Sequence, residues 1–388
     1  MKRILIWHNK DNLKPIGGPS GYLYNLWLGI NKLGEENINK VDFLKYKEHN
    51  KGVNKNSKHS LLSFFRPFFS LIFRMTRKED LNTITNNLYD YDLIHFHNPI
   101  DYFANRKSIR KLNCKVILTS HSPKPYYREF IEDNLKLNYL QYIFFFLPIL
   151  FLKFSEFHAY KKTDYLIFPA PEALEPYTNY SKWFKRFFNN NEDKIFYVET
   201  GIEPAVATDQ SINFKSKNAH NKTYCYVGRH NKVKGYDILI EAAKLALNDK
   251  CNIDFLIAGK EEPLKGLIHE RWNEIGWTNR PYDYINYSDF FILPNRQTYF
   301  DIVLLEVLSL GKPVILSDTG GNKFFKKFNS PGIIYFKNMQ QLKDIIVRFS
   351  EYDYNEINKF GEINKKIFFE HFTNVKFAEK YLLLMDNL

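Results

Sequence analysis

The stretch from Phe290 to Gly321, FFILPNRQTYFDIVLLEVLSLGKPVILSDTGG, constrains the chain most. Its first apolar run, Phe290 to Leu293, stops at Pro294, which has no backbone N–H to extend a ladder. A polar loop leads into apolar residues at helical spacing, Ile302, Leu305 and Leu308, before Gly311 and Pro313 end the pattern and a second apolar run follows. Strand, loop, helix, strand is the repeating unit of a parallel α/β sheet. Thr298 and Asp301 have capping-box spacing, which places the helix N-terminus at the mouth of the loop, where free N–H groups favour an anion. Glu306 shares a helix face with Ile302 and Ser309, so its carboxylate either lies at the edge of the packed face or has a polar partner.

The same order recurs upstream. Lys2 to Trp7 reads as a buried first strand, followed by a loop containing Gly17 and Gly18 and by the helical pattern Leu23, Leu26, Trp27, Ile30. A glycine loop between strand and helix suits a phosphate or close-packed ligand, and equally a tight turn with none. Strand runs at Leu93 to Phe96 and Val116 to Thr119 end in His97 and in Ser120-His121. Ligands of open parallel sheets bind outside the carboxyl ends of strands, which puts His97 and His121 where chemistry occurs. His95 and His97 alternate along one strand but have no evident third ligand, and Asp90 and Asp92 precede their strand, so no metal site is expected.

From Tyr224 to Val227 another strand meets Gly228-Arg229, then Lys234-Gly235, then a helix from Ile238 to Leu247. Two fixed cations beside a glycine turn can converge on a diphosphate, the alternative being a solvated basic loop. Further strands are expected at Phe255 to Ala258 and Ile333 to Phe336, with helices at Leu342 to Phe349 and Phe368 to Leu384. The polar segment from Gly201 to Thr223 reads as an interdomain linker.

A chain of 388 residues exceeds what one hydrophobic core supports, and a net charge of +12 implies a polyanionic partner. No recognised nucleic-acid motif is present, so nucleic acid is not the expected partner. The three cysteines are widely spaced, which fits a reducing compartment, and MKRILIW is too short an apolar start for a secretory signal, so a cytoplasmic protein is expected. Between Leu61 and Asp80, Phe65, Phe68, Phe69, Ile72 and Phe73 fall on one helical face with Arg66, Arg74 and Arg77 around it. That is the pattern of a helix lying on an anionic membrane surface, with packing onto the domain as the alternative. A second segment, Leu135 to Phe157, contains the apolar run Tyr142 to Leu152, which is interrupted by Pro148, closed by Lys153 and too short to span a bilayer, so an interfacial or buried helix is expected.

Gly228-Arg229 with Lys234-Gly235, the Gly311-Lys-Pro-Val314 step, and the Gly320-Gly321 turn together resemble the donor site of the GT-B-type retaining glycosyltransferases of family four (glycosyltransferase group 1). The resemblance covers nearly the whole chain and is closest from Tyr224 to Gly321. Its signature Glu-x-Phe-Gly-x-x-x-x-Glu becomes Thr298-Tyr-Phe-Asp301, then Glu306, so two positions that touch the donor sugar depart while the nucleotide contact remains.

The resemblance implies two doubly wound Rossmann-like α/β domains facing a cleft, over 1–203 and 204–370, with 371–388 as a helix returning to the first. It implies a metal-independent retaining hexosyltransferase that takes a nucleotide diphosphate sugar as co-substrate, uses no cofactor, and glycosylates a cell-envelope glycan or lipid-linked acceptor. Arg229, Lys234 and His121 are the implied catalytic residues. Gly17, Gly18, Thr298, Asp301, Ile302, Val303 and Glu306 are the implied donor-binding ones, with Asp301 turned toward sugar hydroxyls. With Phe65 to Phe73, the expected location is the inner face of the cytoplasmic membrane. A non-catalytic GT-B partner subunit of a glycosyltransferase complex is the alternative.

Overall fold

The computed structural model describes residues 2–15, 18–46, 84–132, 139–208, 210, 212, 214, 220–249 and 251–388. Gly17, the Phe65 to Phe73 face and part of the linker lie outside the described residues. Two compact units are present: Met1–Pro169 with Pro176–Val198 and Ala378–Leu388, and Ala170–Glu175 with Glu199–Phe377. The chain leaves the first unit over Ala170–Glu175 and again after Val198, and its last residues, from Ala378, belong to the first unit.

The first unit is built on six strands, β1 (Ile4–Asn9), β2 (Val41–Leu44), β3 (Leu93–Phe96), β4 (Lys115–Leu118), β5 (Tyr165–Phe168) and β6 (Ile195–Tyr197). They lie in the order β2-β1-β3-β4-β5-β6, and every pairing is parallel. Strand β1 begins two residues later than the sequence suggests and runs on through His8 and Asn9. Because β2 lies on one side of β1 and β3 on the other, the chain reverses its winding between β1 and β3. The crevice at such a switch point opens outside the carboxyl ends of those strands.

The second unit repeats the plan with β7 (Lys222–Val227), β8 (Ile253–Ala258), β9 (Trp272–Gly276), β10 (Phe290–Leu293), β11 (Val314–Ser317) and β12 (Ile333–Phe336). Their order is β12-β11-β10-β7-β8-β9, again all parallel, with the switch point between β7 and β10. Alternation along the strands sorts the core into two layers. Tyr224, Tyr226, Phe255, Ile257, Phe290, Ile292 and Ile315 pack on one face with the Tyr236–Asn248 and Met339–Phe349 helices. On the other face Cys225, Phe291, Leu293, Val314 and Leu316 pack with Leu304, Leu305 and Leu308. Each such buried side chain contributes roughly 1.5–3 kcal/mol, so these apolar runs fix the sheet more firmly than the loops at its ends.

Three sequence expectations need correction. Pro148 does not interrupt its segment, since one helix runs from Tyr139 to Lys162 with the proline inside it. At the C-terminus, the single helix expected from Phe368 is two, Tyr354–His371 and Asn374–Asn387. They separate because Ile202 donates to Phe372 O at 2.8 Å and accepts from Asn374 N at 2.9 Å, so the backbone at Thr373 forms a β-bridge in place of a helical turn. Thr298 and Asp301 do not form a capping box: the helix is Ile302–Ser309, and Asp301 itself is its N-cap residue, with no side-chain cap bond.

Candidate functional site

In the second unit the loops after β7 and β10 meet at the switch point. Arg296 N donates to Val233 O at 3.0 Å, and the Arg296 guanidinium pairs with Asp237. Gly235 has φ 65°, and a Cβ placed there would lie 1.8 Å from Pro294 O, so the turn that delivers Lys234 needs glycine on both counts. Lys234 N is itself held by Asn231 Oδ1 at 2.9 Å. Tyr226 OH donates to Arg229 O at 2.8 Å and ties down the start of the loop. The Arg229 side chain projects from an exposed residue and forms no ion pair with a described residue.

Across from this loop, Asp301 takes a position the sequence did not foretell. Its carboxylate accepts from Lys234 Nζ at 3.0 Å and from the Asn295 side-chain amide, where the sequence reading turned it toward a sugar. Because it is spent there, the first-turn N–H groups of Ile302 and Val303 have no side-chain cap from Asp301. Thr298 is buried, and its carbonyl accepts from Gly321 N at 3.2 Å in the Gly-Gly turn. Glu306 has the polar partner its helix face demanded, accepting from Tyr282 OH at 2.9 Å. Burial pushes the Glu306 carboxyl up to about 7, against the pull of that hydrogen bond, and the Asp301 charge adds to the rise. Asn295 and Tyr282, the supports of Asp301 and Glu306, were missed because neither motif nor spacing links them to the residues they hold.

The first unit gathers a second set of groups at its own switch point. Gly18, with φ 79°, precedes a helix that has Pro19 in its first turn. His97 Nδ1 lies 2.9 Å from His121 Nε2, so one ring donates to the other. The Tyr22 ring is 4.6 Å from that of His121. His95 bonds Thr119 Oγ1 at 2.9 Å and Tyr381 OH at 3.0 Å. Burial pushes His95 and His121 down to about 3 and holds His97 well below the usual range, with charge from neighbouring imidazoles adding to the effect. Near neutral pH all three are neutral and can only hydrogen-bond. Asp92 accepts from Arg3 N at 2.8 Å and Asp90 from the Asn87 amide at 2.8 Å, so both carboxylates brace the start of β3. Among the described residues no three His, Cys, Asp or Glu side chains group as a metal site.

Residues 208–367 match the family described as glycosyl transferases group 1. The O-antigen biosynthesis glycosyltransferase WclY of Escherichia coli is 29% identical over 166 residues, which is 40% of this chain and 44% of that relative. The chain thus spans under half the length of that relative. Among solved structures, sucrose-phosphate synthase from Thermosynechococcus elongatus superposes with a TM-score of 0.66 at 15% identity, covering 100% of this chain and 99% of that one. HepE of Anabaena, solved in complex with UDP-glucose, superposes with a TM-score of 0.56 at 14% identity over 100% of both chains. These likenesses show two Rossmann-like domains of the GT-B kind. The chain has the GT-B fold, and residues 208–367, within its second unit, carry the match to the glycosyl transferases group 1.

Proposed function

We propose that the protein transfers a hexose from a nucleotide diphosphate sugar to a cell-envelope glycan or lipid-linked acceptor, with retention of configuration and without a metal. The observation that carries this reading is the meeting of Lys234 with the uncapped Ile302–Ser309 N-terminus at the crevice between β7 and β10, with Arg229 on the same loop after β7. Departure of a nucleoside diphosphate builds negative charge on its outer phosphate. Two cations and first-turn N–H groups at Ile302 and Val303 stabilise that charge as it develops. Glu306, ionised, accepts the ribose hydroxyls. His121, a neutral ring, orients the sugar through one hydrogen bond, and Gly18 gives its loop close backbone approach. The name of WclY supports an envelope glycan as the product, and the UDP-glucose bound by HepE supports a nucleotide sugar as the donor.

Screening nucleotide sugars by ligand-detected NMR, then assaying transfer from the hit with and without EDTA, tests the reading. Transfer that survives EDTA is expected; loss restored by magnesium or manganese refutes metal independence. One observation favours the partner-subunit alternative, the neutralisation of Lys234 by Asp301. That alternative requires nucleotide binding with no turnover across a broad donor and acceptor screen.

Glu306 gives the reading a pH signature. Since its carboxyl titrates at about 7 and the ionised form accepts the ribose hydroxyls, donor affinity should fall as pH drops below 7, approaching tenfold per pH unit. Titration calorimetry between pH 5.5 and 8 measures it, and Glu306→Gln should flatten the curve. A wild-type affinity independent of pH would remove Glu306 from the ribose.

A lipid surface fits the acceptor side. Among the described residues, Phe146, Leu147, Leu150, Phe151 and Phe154 stand exposed along the Tyr139–Lys162 helix, Leu147 at 73%. Glu156 of that helix turns inward to the Tyr126 and Tyr127 N–H groups, while Lys107, Arg110, Lys161 and Lys162 lie exposed on this helix and its packing partner. No described helix is long and apolar enough to cross a membrane. Cosedimentation with vesicles rich in phosphatidylglycerol should exceed that with phosphatidylcholine and fall as salt rises, each cation near the surface being worth roughly 1 kcal/mol. Equal, weak binding to both vesicles would end the membrane proposal.

A further inference from the structure

In the second unit the cation placed for a phosphate already has an anion. Lys234 Nζ lies 3.0 and 3.4 Å from the two carboxylate oxygens of Asp301, and the Asn295 amide donates to Asp301 Oδ2 from another side. Both charges are largely out of water, with side-chain exposures of 28% for Lys234 and 13% for Asp301. A carboxylate this sheltered is destabilised when its partner leaves, far more than an exposed pair would be. The other ionisable groups under its influence, Tyr226 and Glu306, bring no positive charge, and Arg296 is engaged by Asp237.

A diphosphate that binds Lys234 draws the ammonium away and leaves Asp301 beside an anion. What happens next depends on what the diphosphate carries. An intact sugar nucleotide places hexose hydroxyls directly beyond the outer phosphate, within reach of a carboxylate that started 3.0 Å from the same ammonium. Those hydroxyls can donate to Asp301, which the Asn295 amide still holds in place. A spent nucleoside diphosphate brings no hydroxyl to that point and carries more negative charge on its terminal phosphate.

Resting on the transferase reading, we infer that Asp301 is a specificity-determining residue that favours the intact sugar nucleotide over the spent nucleoside diphosphate by exchanging Lys234 for sugar hydroxyls as its partner. Asp301 thereby supplies a carboxylate three residues after buried Thr298, where the resembled signature has its first glutamate. The exchange also speeds clearance of product, because loss of the sugar leaves Asp301 unpaired and repelling the diphosphate until Lys234 returns to it.

Calorimetric titration of the full chain with UDP-glucose, ADP-glucose and GDP-mannose, each against its own nucleoside diphosphate, tests this directly. For the base that binds, the wild type should hold the sugar nucleotide at least about tenfold more tightly than the diphosphate, the scale of one charge-assisted hydrogen bond. In Asp301→Asn, which keeps the shape, the diphosphate should bind about tenfold more tightly than in the wild type and the sugar nucleotide more weakly, so the preference collapses. Asp301→Gly, which restores the signature residue, should tighten the diphosphate in the same way. Preference unchanged within twofold in both variants, or a wild type that binds both ligands equally, overturns the assignment while leaving the transferase reading intact. Failure of every nucleotide to bind any of the three proteins defeats the transferase reading itself.

Discussion

Lys234→Ala should lower kcat by about two orders of magnitude, the usual consequence of removing one preorganised stabiliser of developing charge. The leaving diphosphate loses its fixed ammonium, and Asp301, held by Asn295, then faces the phosphate unopposed. Part of the loss therefore belongs to the carboxylate left behind. A double variant, Lys234→Ala with Asp301→Asn, should recover about tenfold of kcat relative to Lys234→Ala alone, the coupling expected of two side chains in direct contact. Steady-state kinetics on the four proteins of this cycle measure both quantities. If Lys234→Ala changes KM alone, the ammonium binds ground state and transition state equally, and the charge-stabilisation role is wrong.

Gly235→Ala should be the most damaging single methyl group in the second unit. The residue has φ 65° and stands against the Pro294 carbonyl, so the substitution combines a left-handed backbone penalty with a backbone clash that pushes the β7 and β10 loops apart. A destabilisation of about 3 kcal/mol is expected, which for a unit of this size lowers Tm by roughly 6–12 °C. Gly276→Ala is the control. Its φ is 75°, but nothing lies within 4 Å of the added methyl, so only the backbone penalty of roughly 1–2 kcal/mol applies. Thermal melts with and without nucleotide separate the two variants, since Gly235→Ala should also abolish the ligand-induced rise in Tm. Equal melting temperatures for both variants would show that the two loops move apart freely.

Much of both sheets was legible because parallel strands buried on both faces read as continuous apolar runs, as FFIL at Phe290 does, whereas β2, β5 and β6 were not foreseen and β8 starts at Ile253, two residues before the expected Phe255. The β7 loop was legible too, since a glycine turn with two cations is local in sequence. Partnership was not. Lys234 and Asp301 are 67 positions apart, and Tyr282 and Glu306 are 24 apart, so each pairing is created by strand order and invisible to spacing. The capping-box reading of Thr298 and Asp301 failed for the same reason: a distant ammonium outcompeted the local N–H groups for the carboxylate. Likewise a bond to Ile202 broke a C-terminal helix whose own sequence carried no break signal at Phe372.

The clustered imidazoles of the first unit bear on the acidity profile. With burial holding His95, His97 and His121 well below the usual imidazole range, these three rings bring no change of charge across the range in which histidine enzymes usually switch. Rate plotted against pH should then have a single ascending limb, drawn by one carboxyl in the second unit, in place of the bell that an acid–base histidine pair produces.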